Sequence, residues 1–163
     1  VLALMKLLVQ SLGKELDSLI KHNIKFNAIG NLNRLDPFTR KKIKNAEKLT
    51  NSNTGLNLNL AISYGGRQEI VDACNEIIKN KKESITINDF YKYLYTKSIP
   101  DPDLLIRTAG ENRISNFLLW QIAYTEIYIS KIYWPEFDEE ELDTALEDYY
   151  SRERKFGRIS ANA

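Results

Sequence analysis

Arg107, Arg113, Ser115 and Glu126 fall within one short stretch and offer the groups that bind a phosphorylated ligand. The arginines are six residues apart, the serine follows two residues after the second, and the glutamate closes an otherwise apolar run. A guanidinium is always charged and presents a planar fork that matches phosphate oxygens. A glutamate carboxylate can bind a divalent cation that accompanies the phosphate. The stretch therefore predicts a phosphate or pyrophosphate site, with Glu126 available to a metal.

An ordinary structural role is the alternative for each of these residues. The arginines can instead form ion pairs with neighbouring carboxylates, which are Asp101, Asp103 and Glu111. Glu126 can be a polar residue that starts a strand, and its residue type alone favours that role. Residue types alone leave both interpretations of the arginines open.

A buried strand over Leu104–Arg107 is expected to position the arginines. This segment is short and apolar at its start, and Pro102 and Gly110 bound it. Ligands of parallel α/β folds gather at the carboxyl ends of strands. We therefore expect the arginines to leave the end of this strand in a loop that can hold an anion.

Hydrophobic periodicity and turn signals predict helices and strands along the rest of the chain. The predicted helices cover residues 1–22, 36–50, 67–79, a short helix capped by Asn88, 117–121 and 138–154. The predicted strands cover residues 24–29, 56–64, 104–107 and 126–129. Strands that alternate with helices imply an α/β fold with a mostly parallel sheet, and the length suits a single domain over residues 1–163.

Composition excludes several classes of protein. The chain has 23 basic and 22 acidic side chains, so no bulk positive charge recruits nucleic acid. A single cysteine, Cys74, excludes an intrachain disulfide framework, and its place on the apolar side of a helix predicts a buried structural thiol. No apolar run approaches the roughly 18–20 residues of a membrane span.

The arginine-rich stretch resembles the signature region of the cis-prenyltransferases, and the undecaprenyl diphosphate synthases of bacteria are the most similar branch. The resemblance is carried by residues 106–111 (IRTAGE), 113–121 (RISNFLLWQ) and 123–126 (AYTE). Further matches extend it over most of the chain, at residues 53–56 (NTGL), 59–61 (NLA), 64–67 (YGGR), 134–137 (WPEF) and 152–157 (RERKFG).

The resemblance implies an undecaprenyl diphosphate synthase-like fold, a central mostly parallel sheet surrounded by helices. It implies condensation of isopentenyl diphosphate with an allylic diphosphate, such as farnesyl diphosphate, to give the long-chain undecaprenyl diphosphate that carries cell-wall precursors. Arg107, Arg113 and Ser115 would bind the diphosphate of isopentenyl diphosphate, with the backbone N–H of Ile114 between them. Glu126 would bind Mg²⁺.

The resemblance also implies partners and a location. The family forms cytoplasmic homodimers, has no nucleic-acid partner and releases a product that can associate transiently with a membrane. The residues that approach the partner lie between positions 113 and 134 and in the Arg-rich segment from Arg152. An aromatic cluster in this region is expected to be core or dimer interface, because few basic residues interleave it. Its members are Trp120, Tyr124, Tyr128, Tyr133 and Trp134.

The N-terminal phosphate-binding loop of the family has no counterpart in these 163 residues. In the family, its Asp-Gly-Asn-Gly-Arg-Trp-Ala pattern supplies the catalytic aspartate and a second metal carboxylate. A helical pattern is already under way at Val1, with no capping residue before it. We therefore expect the C-terminal portion of a longer enzyme, inactive alone and without a catalytic residue of its own. Such a portion would keep the isopentenyl diphosphate ligands and leave a sheet edge or a cleft wall uncovered.

Two other functions compete with this interpretation. The first is a non-catalytic accessory subunit of a cis-prenyltransferase complex. Accessory partners of that kind typically lose the two arginines and the serine, whereas this chain keeps all three. The second is a generic phosphate-binding α/β domain, for which the long motif match is too specific.

Leu56 gives a prediction about product length. The resemblance places it near the floor of a tunnel that holds the growing prenyl chain, although a core leucine would look identical in the sequence. We predict that Leu56→Ala, in an active enzyme that contains this chain, lengthens the products, because a bulky side chain there limits the tunnel. Chromatography of the labelled products measures this, and an unchanged product distribution would contradict it.

Overall fold

The computed structural model describes residues 2–153. Its contacts divide the chain into two compact units, Val1–Lys97 and Ser98–Ala163. Val1 and the last four residues of the C-terminal RERKFG motif lie outside the described residues. The expectation of a single domain over residues 1–163 stays a prediction. No helix of the described range is long and apolar enough to cross a bilayer.

The first unit alternates helices and strands as its sequence predicts. The elements are α1 (Leu2–Lys21), β1 (Lys25–Ile29), α2 (Pro37–Thr50), β2 (Asn57–Ala61), α3 (Gly66–Lys79) and α4 (Ile87–Tyr91). The predicted positions of α1, β1, α2 and α3 are confirmed. β2 is shorter than predicted and ends at Ala61; Ser63, two residues later, has a φ of 50°, which breaks the extended backbone.

Side-chain caps fix where two of these helices begin. Asp36 precedes α2, accepts a hydrogen bond from the Thr39 backbone N–H at 3.0 Å and is followed by proline at the first helical position. The cap of α4 is Thr86 rather than the predicted Asn88, which lies inside the helix. Thr86 and Asp89 each accept from the other's backbone N–H, a reciprocal pairing that Asn88 lacks.

The core of the first unit lies where α1 and α2 pack against β1. Six buried side chains form it: Leu12, Leu19, Phe26, Ile43, Ala46 and Ile62. Other apolar side chains of α1, including Leu4 and Leu7, are exposed, so only part of its apolar surface is core. Leu56 is 66% exposed, which excludes the core leucine that the sequence alone allowed.

The strands of the first unit form a two-stranded parallel sheet in which Lys25 pairs with Asn57 and Ile29 with Ala61. The second edge of β1 is covered by side chains of α2. Thr50 Oγ1 accepts from the Phe26 N–H at 3.1 Å, and the Glu47 carboxylate accepts from the Ala28 N–H at 3.0 Å. These bonds satisfy N–H groups that a third strand would otherwise pair.

The second edge of β2 is not covered in the same way. Within residues 2–153, β2 pairs with β1 alone, and both Asn57 and Leu58 are exposed. A strand edge without a partner presents unpaired backbone N–H and C=O groups. This is an uncovered edge of the kind that the sequence predicts.

Gly30 allows the chain to leave β1 close to the end of β2. Its φ is +120°, and a Cβ there would lie 2.2 Å from the backbone oxygen of Ile62. A side chain would therefore force the two backbones apart, so glycine is required at this position.

The second unit contains β3 (Leu104–Arg107), β4 (Glu126–Ile129) and α5 (Glu139–Ser151). β3 and β4 form a second two-stranded parallel sheet, and α5 packs on β4. Asp138 caps α5 by accepting from the Glu141 backbone N–H at 3.1 Å. Both strands are as predicted. The first turn of α5 is acidic, and its last turn contains no basic residue. The α/β class with parallel strands is confirmed.

Two local predictions are wrong. Residues 117–121 form turns rather than a helix, because Asn116 and Leu118 have φ values of 64° and 46°, which a right-handed helix cannot contain. Cys74 is exposed instead of buried, and the neighbouring Ala73 takes the buried position of α3.

The edge of β1 gives a stability prediction. Thr50→Val keeps the shape of the side chain but leaves the buried N–H of Phe26 without an acceptor, so we expect a loss of about 1–3 kcal/mol in the free energy of unfolding. Urea denaturation followed by far-UV circular dichroism measures this loss.

Two controls separate the hydroxyl from the methyl group. Thr50→Ser keeps the acceptor and should be less destabilising than Thr50→Val. Thr144→Val removes an exposed hydroxyl on α5 and should change stability by at most about 0.5 kcal/mol. Equal stability of the Thr50→Val variant and the wild type would show that the bond to Phe26 contributes nothing.

Candidate functional site

Arg107 ends β3 and carries a buried polar atom without a partner. Its Nε has no hydrogen-bond acceptor in the described part of the chain, and its guanidinium forms no ion pair there with Asp101, Asp103 or Glu111. Its backbone oxygen accepts from the Ser130 N–H at 2.8 Å, which closes the β3–β4 pairing. An unpaired buried donor on a cation is costly, and an anionic ligand is the group that satisfies it.

The loop after Arg107 is held against the segment that follows β4. The N–H groups of Ala109 and Gly110 donate to the backbone oxygens of Ile132 and Ser130, both at 2.8 Å. Ala109 and Gly110 both have a φ of 66°, a conformation that glycine adopts freely and alanine does not. Arg107 is therefore followed by a sharp turn that two backbone hydrogen bonds anchor to the segment after β4.

A second turn lies at Ser115, Asn116 and Leu118, where φ is 47°, 64° and 46°. Non-glycine residues in such regions cost on the order of 1–3 kcal/mol each and concentrate at functional sites. The Ile114 N–H and the Ser115 hydroxyl donate to no group among residues 2–153. Donors beside a turn of this kind can bind an anion.

Arg113, unlike Arg107, has a local partner. Its guanidinium forms an ion pair with the Glu111 carboxylate, with 63% and 39% of the two side chains exposed. This is the ordinary structural pairing that the sequence left open. Exposed pairs are worth only about 0–1 kcal/mol, so a diphosphate can compete with Glu111 for Arg113.

Glu126 starts β4 and forms an ion pair with Arg152, the residue that follows α5. The Glu126 Oε2 accepts from Arg152 Nη1 at 2.9 Å, and the same nitrogen donates to the backbone oxygen of Ile127 at 3.1 Å. The other terminal nitrogen of Arg152 binds the Asp148 carboxylate. The hydrogen bonds to Glu126 and to Asp148 raise the pKa of Arg152 above its ordinary value.

Strand pairing sets Glu126 apart from Arg107. Glu126 is in register with Leu104 at the amino end of the pair, and Arg107 with Ile129 at the carboxyl end. Three residues of strand separate these positions by about 10 Å, and alternation directs the two side chains to opposite faces. Arg113 and Ser115 lie in the loop that returns from one end to the other. Within residues 2–153, no hydrogen bond or ion pair joins Glu126 to Arg107, Arg113 or Ser115.

Glu126 fits one ligand position of Mg²⁺. Its Oε1 accepts no hydrogen bond from residues 2–153. Mg²⁺ is usually bound by one or two carboxylates and fills its remaining positions with water and phosphate oxygens. Within the same range, no three His, Cys, Asp or Glu side chains are grouped to hold a metal. The donor set therefore suits a cation that arrives with a phosphate, rather than one held by the protein alone.

The contact between Arg152 and Glu126 is a feature that the sequence did not reveal. Asp148 and Arg152 are four residues apart, a spacing that predicts an ion pair on a helix. Glu126 lies 26 residues from Arg152 and offers no such signal. The resemblance placed Arg152 in the segment that approaches a partner subunit, and nothing in the sequence linked it to Glu126.

Known proteins match this chain over almost its whole length. The family model for undecaprenyl diphosphate synthase matches residues 1–157. The isoprenyl transferase of Fusobacterium nucleatum is 51% identical over 156 residues, which cover 96% of this chain and 67% of that protein. The isoprenyl transferase of Geobacter sulfurreducens is 50% identical over 165 residues, which cover 98% of this chain and 67% of that protein.

Two solved structures share the fold. Lavandulyl diphosphate synthase from Lavandula x intermedia, in complex with dimethylallyl diphosphate, superposes with a TM-score of 0.90 at 38% identity, covering 95% of this chain and 70% of that one. A probable undecaprenyl diphosphate synthase from Campylobacter jejuni superposes with a TM-score of 0.84 at 37% identity, covering 94% and 72%.

The Glu111–Arg113 ion pair gives a binding prediction. Glu111→Gln removes the carboxylate that competes for Arg113, so we expect inorganic pyrophosphate to bind about twofold to fivefold more tightly, the range that an exposed pair of up to about 1 kcal/mol allows. Isothermal titration calorimetry on the 163-residue chain measures this.

The control must remove the same charge without touching Arg113. Glu140→Gln does so at an exposed position of α5 and should leave the affinity for pyrophosphate unchanged. Weaker binding by the Glu111→Gln variant would instead show that Glu111 orients Arg113 for the ligand.

Proposed function

The chain belongs to the undecaprenyl diphosphate synthase family of isoprenyl transferases, and we propose that it contains the isopentenyl diphosphate site of a cis-prenyltransferase. In this proposal the enzyme condenses isopentenyl diphosphate with an allylic diphosphate such as farnesyl diphosphate. Repeated condensation gives a long-chain polyprenyl diphosphate of the undecaprenyl type. The observation that carries the proposal is the buried, unpartnered Nε of Arg107 at the carboxyl end of β3.

The reaction explains why anion-binding groups dominate the site. A carbon–carbon bond forms between C1 of the allylic substrate and C4 of isopentenyl diphosphate. The allylic C–O bond breaks, diphosphate leaves, and a proton is lost from C2 of the isopentenyl unit. Negative charge grows on the departing diphosphate, so cationic groups that face it stabilise the transition state.

Each proposed ligand has a separate task. Arg107 is anchored through its backbone and offers a buried donor, so it would fix the position of the isopentenyl diphosphate. Arg113 would exchange Glu111 for a diphosphate oxygen. The Ile114 N–H and the Ser115 hydroxyl would donate to the remaining oxygens. Together they bind and orient this substrate, and they leave the proton transfer to groups outside these 163 residues.

Glu126 is proposed as a carboxylate ligand of Mg²⁺. When bound, the cation would neutralise charge on a diphosphate and favour its departure. A single carboxylate leaves most of the coordination to water, to phosphate oxygens and to the family aspartate that these residues lack.

A homodimer in the cytoplasm is part of the proposal. Tyr124, Tyr133 and Trp134 are 74%, 66% and 74% exposed in the second unit, which is unusual for large aromatic side chains and typical of an interface. These exposures do not support the alternative that they belong to the core. The substrates are water-soluble, the long product can associate with a membrane, and no nucleic-acid partner is proposed.

We predict that these 163 residues do not catalyse transfer alone. The test is transfer of labelled isopentenyl diphosphate to farnesyl diphosphate with Mg²⁺. One sample is this chain, and the other is a chimera in which a segment that carries the family's Asp-Gly-Asn-Gly-Arg-Trp-Ala loop precedes it. Activity of the chimera alone is expected. Activity of the chain alone would show that the essential carboxylate lies within it, and activity of neither would favour the accessory-subunit alternative.

Arg107 provides the residue-level test in the active chimera. Arg107→Ala should raise the KM for isopentenyl diphosphate about tenfold to a hundredfold, the effect of one lost charge-assisted hydrogen bond. Arg107→Lys keeps the charge but not the planar fork, so its KM should be intermediate. Lys48→Ala removes an exposed charge from α2 and serves as the control. An unchanged KM for Arg107→Ala would remove Arg107 from the site.

A further inference from the structure

Arg152 contacts both the proposed metal ligand and the helix that precedes it. It donates to Glu126 Oε2 at 2.9 Å and to the Ile127 backbone oxygen at 3.1 Å, and it forms an ion pair with Asp148. Arg152 and Glu126 are each 30% exposed. Glu126 therefore has a full positive charge at contact distance before any metal is considered.

The Arg152–Glu126 pair is less exposed than the Glu111–Arg113 pair, so a ligand separates it less easily. Arg113 and Glu111 are more exposed and share one contact, which water and salt screen. Arg152 is held from three sides, so rotating it away from Glu126 costs more than the loss of one exposed contact. Its position at the end of α5, which packs on β4, also limits where the guanidinium can move.

We propose that Arg152 acts as the resident cation of Glu126, so that a free divalent ion binds this carboxylate poorly and Mg²⁺ enters together with a diphosphate. The inference rests on the proposed role of Glu126 as a metal ligand and makes Arg152 a positioning residue of that site.

Electrostatics gives the reason. A divalent cation that approaches Glu126 meets a carboxylate whose charge is already offset, and it is repelled by the guanidinium beside it. A metal-diphosphate complex carries net negative charge instead, so Arg152 attracts it. Guanidinium groups also bind phosphate oxygens in a bidentate manner, which gives Arg152 a new partner when the metal takes Glu126. The order of binding is thereby set by charge rather than by a moving lid.

The test measures metal binding rather than turnover. Mn²⁺ stands in for Mg²⁺, and its free concentration is followed by electron paramagnetic resonance on the 163-residue chain. We expect Arg152→Gln to raise the affinity for free Mn²⁺ about tenfold, the effect of losing one partly exposed charge beside the ligand. Arg152→Lys keeps the charge and should stay within about threefold of the wild type.

A matched control cuts the other contact of Arg152. Asp148→Asn breaks the ion pair with α5 but leaves the positive charge on Glu126, so the affinity for free Mn²⁺ should not rise. If Arg152 only holds the end of α5 in place, Asp148→Asn and Arg152→Gln should have similar effects. Thermal unfolding of each variant, followed by circular dichroism, reports any loss of that structural tie.

A second measurement uses the preformed Mn²⁺–pyrophosphate complex. Calorimetry should show that Arg152→Gln, which binds free Mn²⁺ more tightly, binds the complex no more tightly than the wild type. The inference would be overturned if the wild type and Arg152→Gln bound free Mn²⁺ with equal affinity. If Glu126→Gln then abolished that binding in both proteins, Glu126 would still be a metal ligand. Unchanged Mn²⁺ binding by Glu126→Gln would overturn both.

Discussion

The parallel pairing of β3 with β4 is the constraint on which the candidate site depends. Its two ends are closed by hydrogen bonds from the Glu126 N–H to the Asp103 oxygen at 3.0 Å and from the Ser130 N–H to the Arg107 oxygen at 2.8 Å. These bonds hold Arg107 at one end and Glu126 at the other. The loop between them must therefore span the length of the pair, and its backbone is left-handed at Ala109 and Ser115.

The proposed ligand groups differ in whether an opposite charge already pairs with them. Arg113 and Glu126 each have an opposite charge beside them, supplied by Glu111 and Arg152, whereas Arg107 has a buried donor with no partner among the described residues. A ligand gains most at the unpaired group and must exchange partners at the others. Arg107 is thus the group expected to dominate affinity, and the paired groups are those expected to set the order and selectivity of binding.

In the first unit, side chains cover one edge of the two-stranded sheet and leave the other edge open. Its sheet edge at β1 is covered by the side chains of Thr50 and Glu47, which accept from backbone N–H groups of Phe26 and Ala28. The opposite edge of its sheet, on β2, has no partner strand among residues 2–153. The edge of β1 is thus covered by side chains of α2, whereas the edge of β2 presents backbone groups that a further strand can pair.

Local signals in the sequence determined most of the secondary structure. Asp36-Pro37 fixed the start of α2, apolar periodicity fixed α1, and the bounded apolar run fixed β3, because each depends on neighbours within a turn or two. Local signals failed at residues 117–121, where helical residue types occupy turns. They also failed at Cys74, which is exposed, because the buried position of α3 belongs to its neighbour Ala73.

The sequence by itself determined the family and singled out Arg107, Arg113, Ser115 and Glu126 as the proposed ligand residues, because they fall in one continuous motif. Only the tertiary structure decided which of them are already paired. The register of β4 against β3 separates Glu126 from Arg107, and the packing of α5 on β4 brings Arg152 to Glu126 across 26 residues of chain. Strand register and helix packing depend on many contacts between residues that are distant in the sequence. The spacing of neighbouring residues therefore does not predict them.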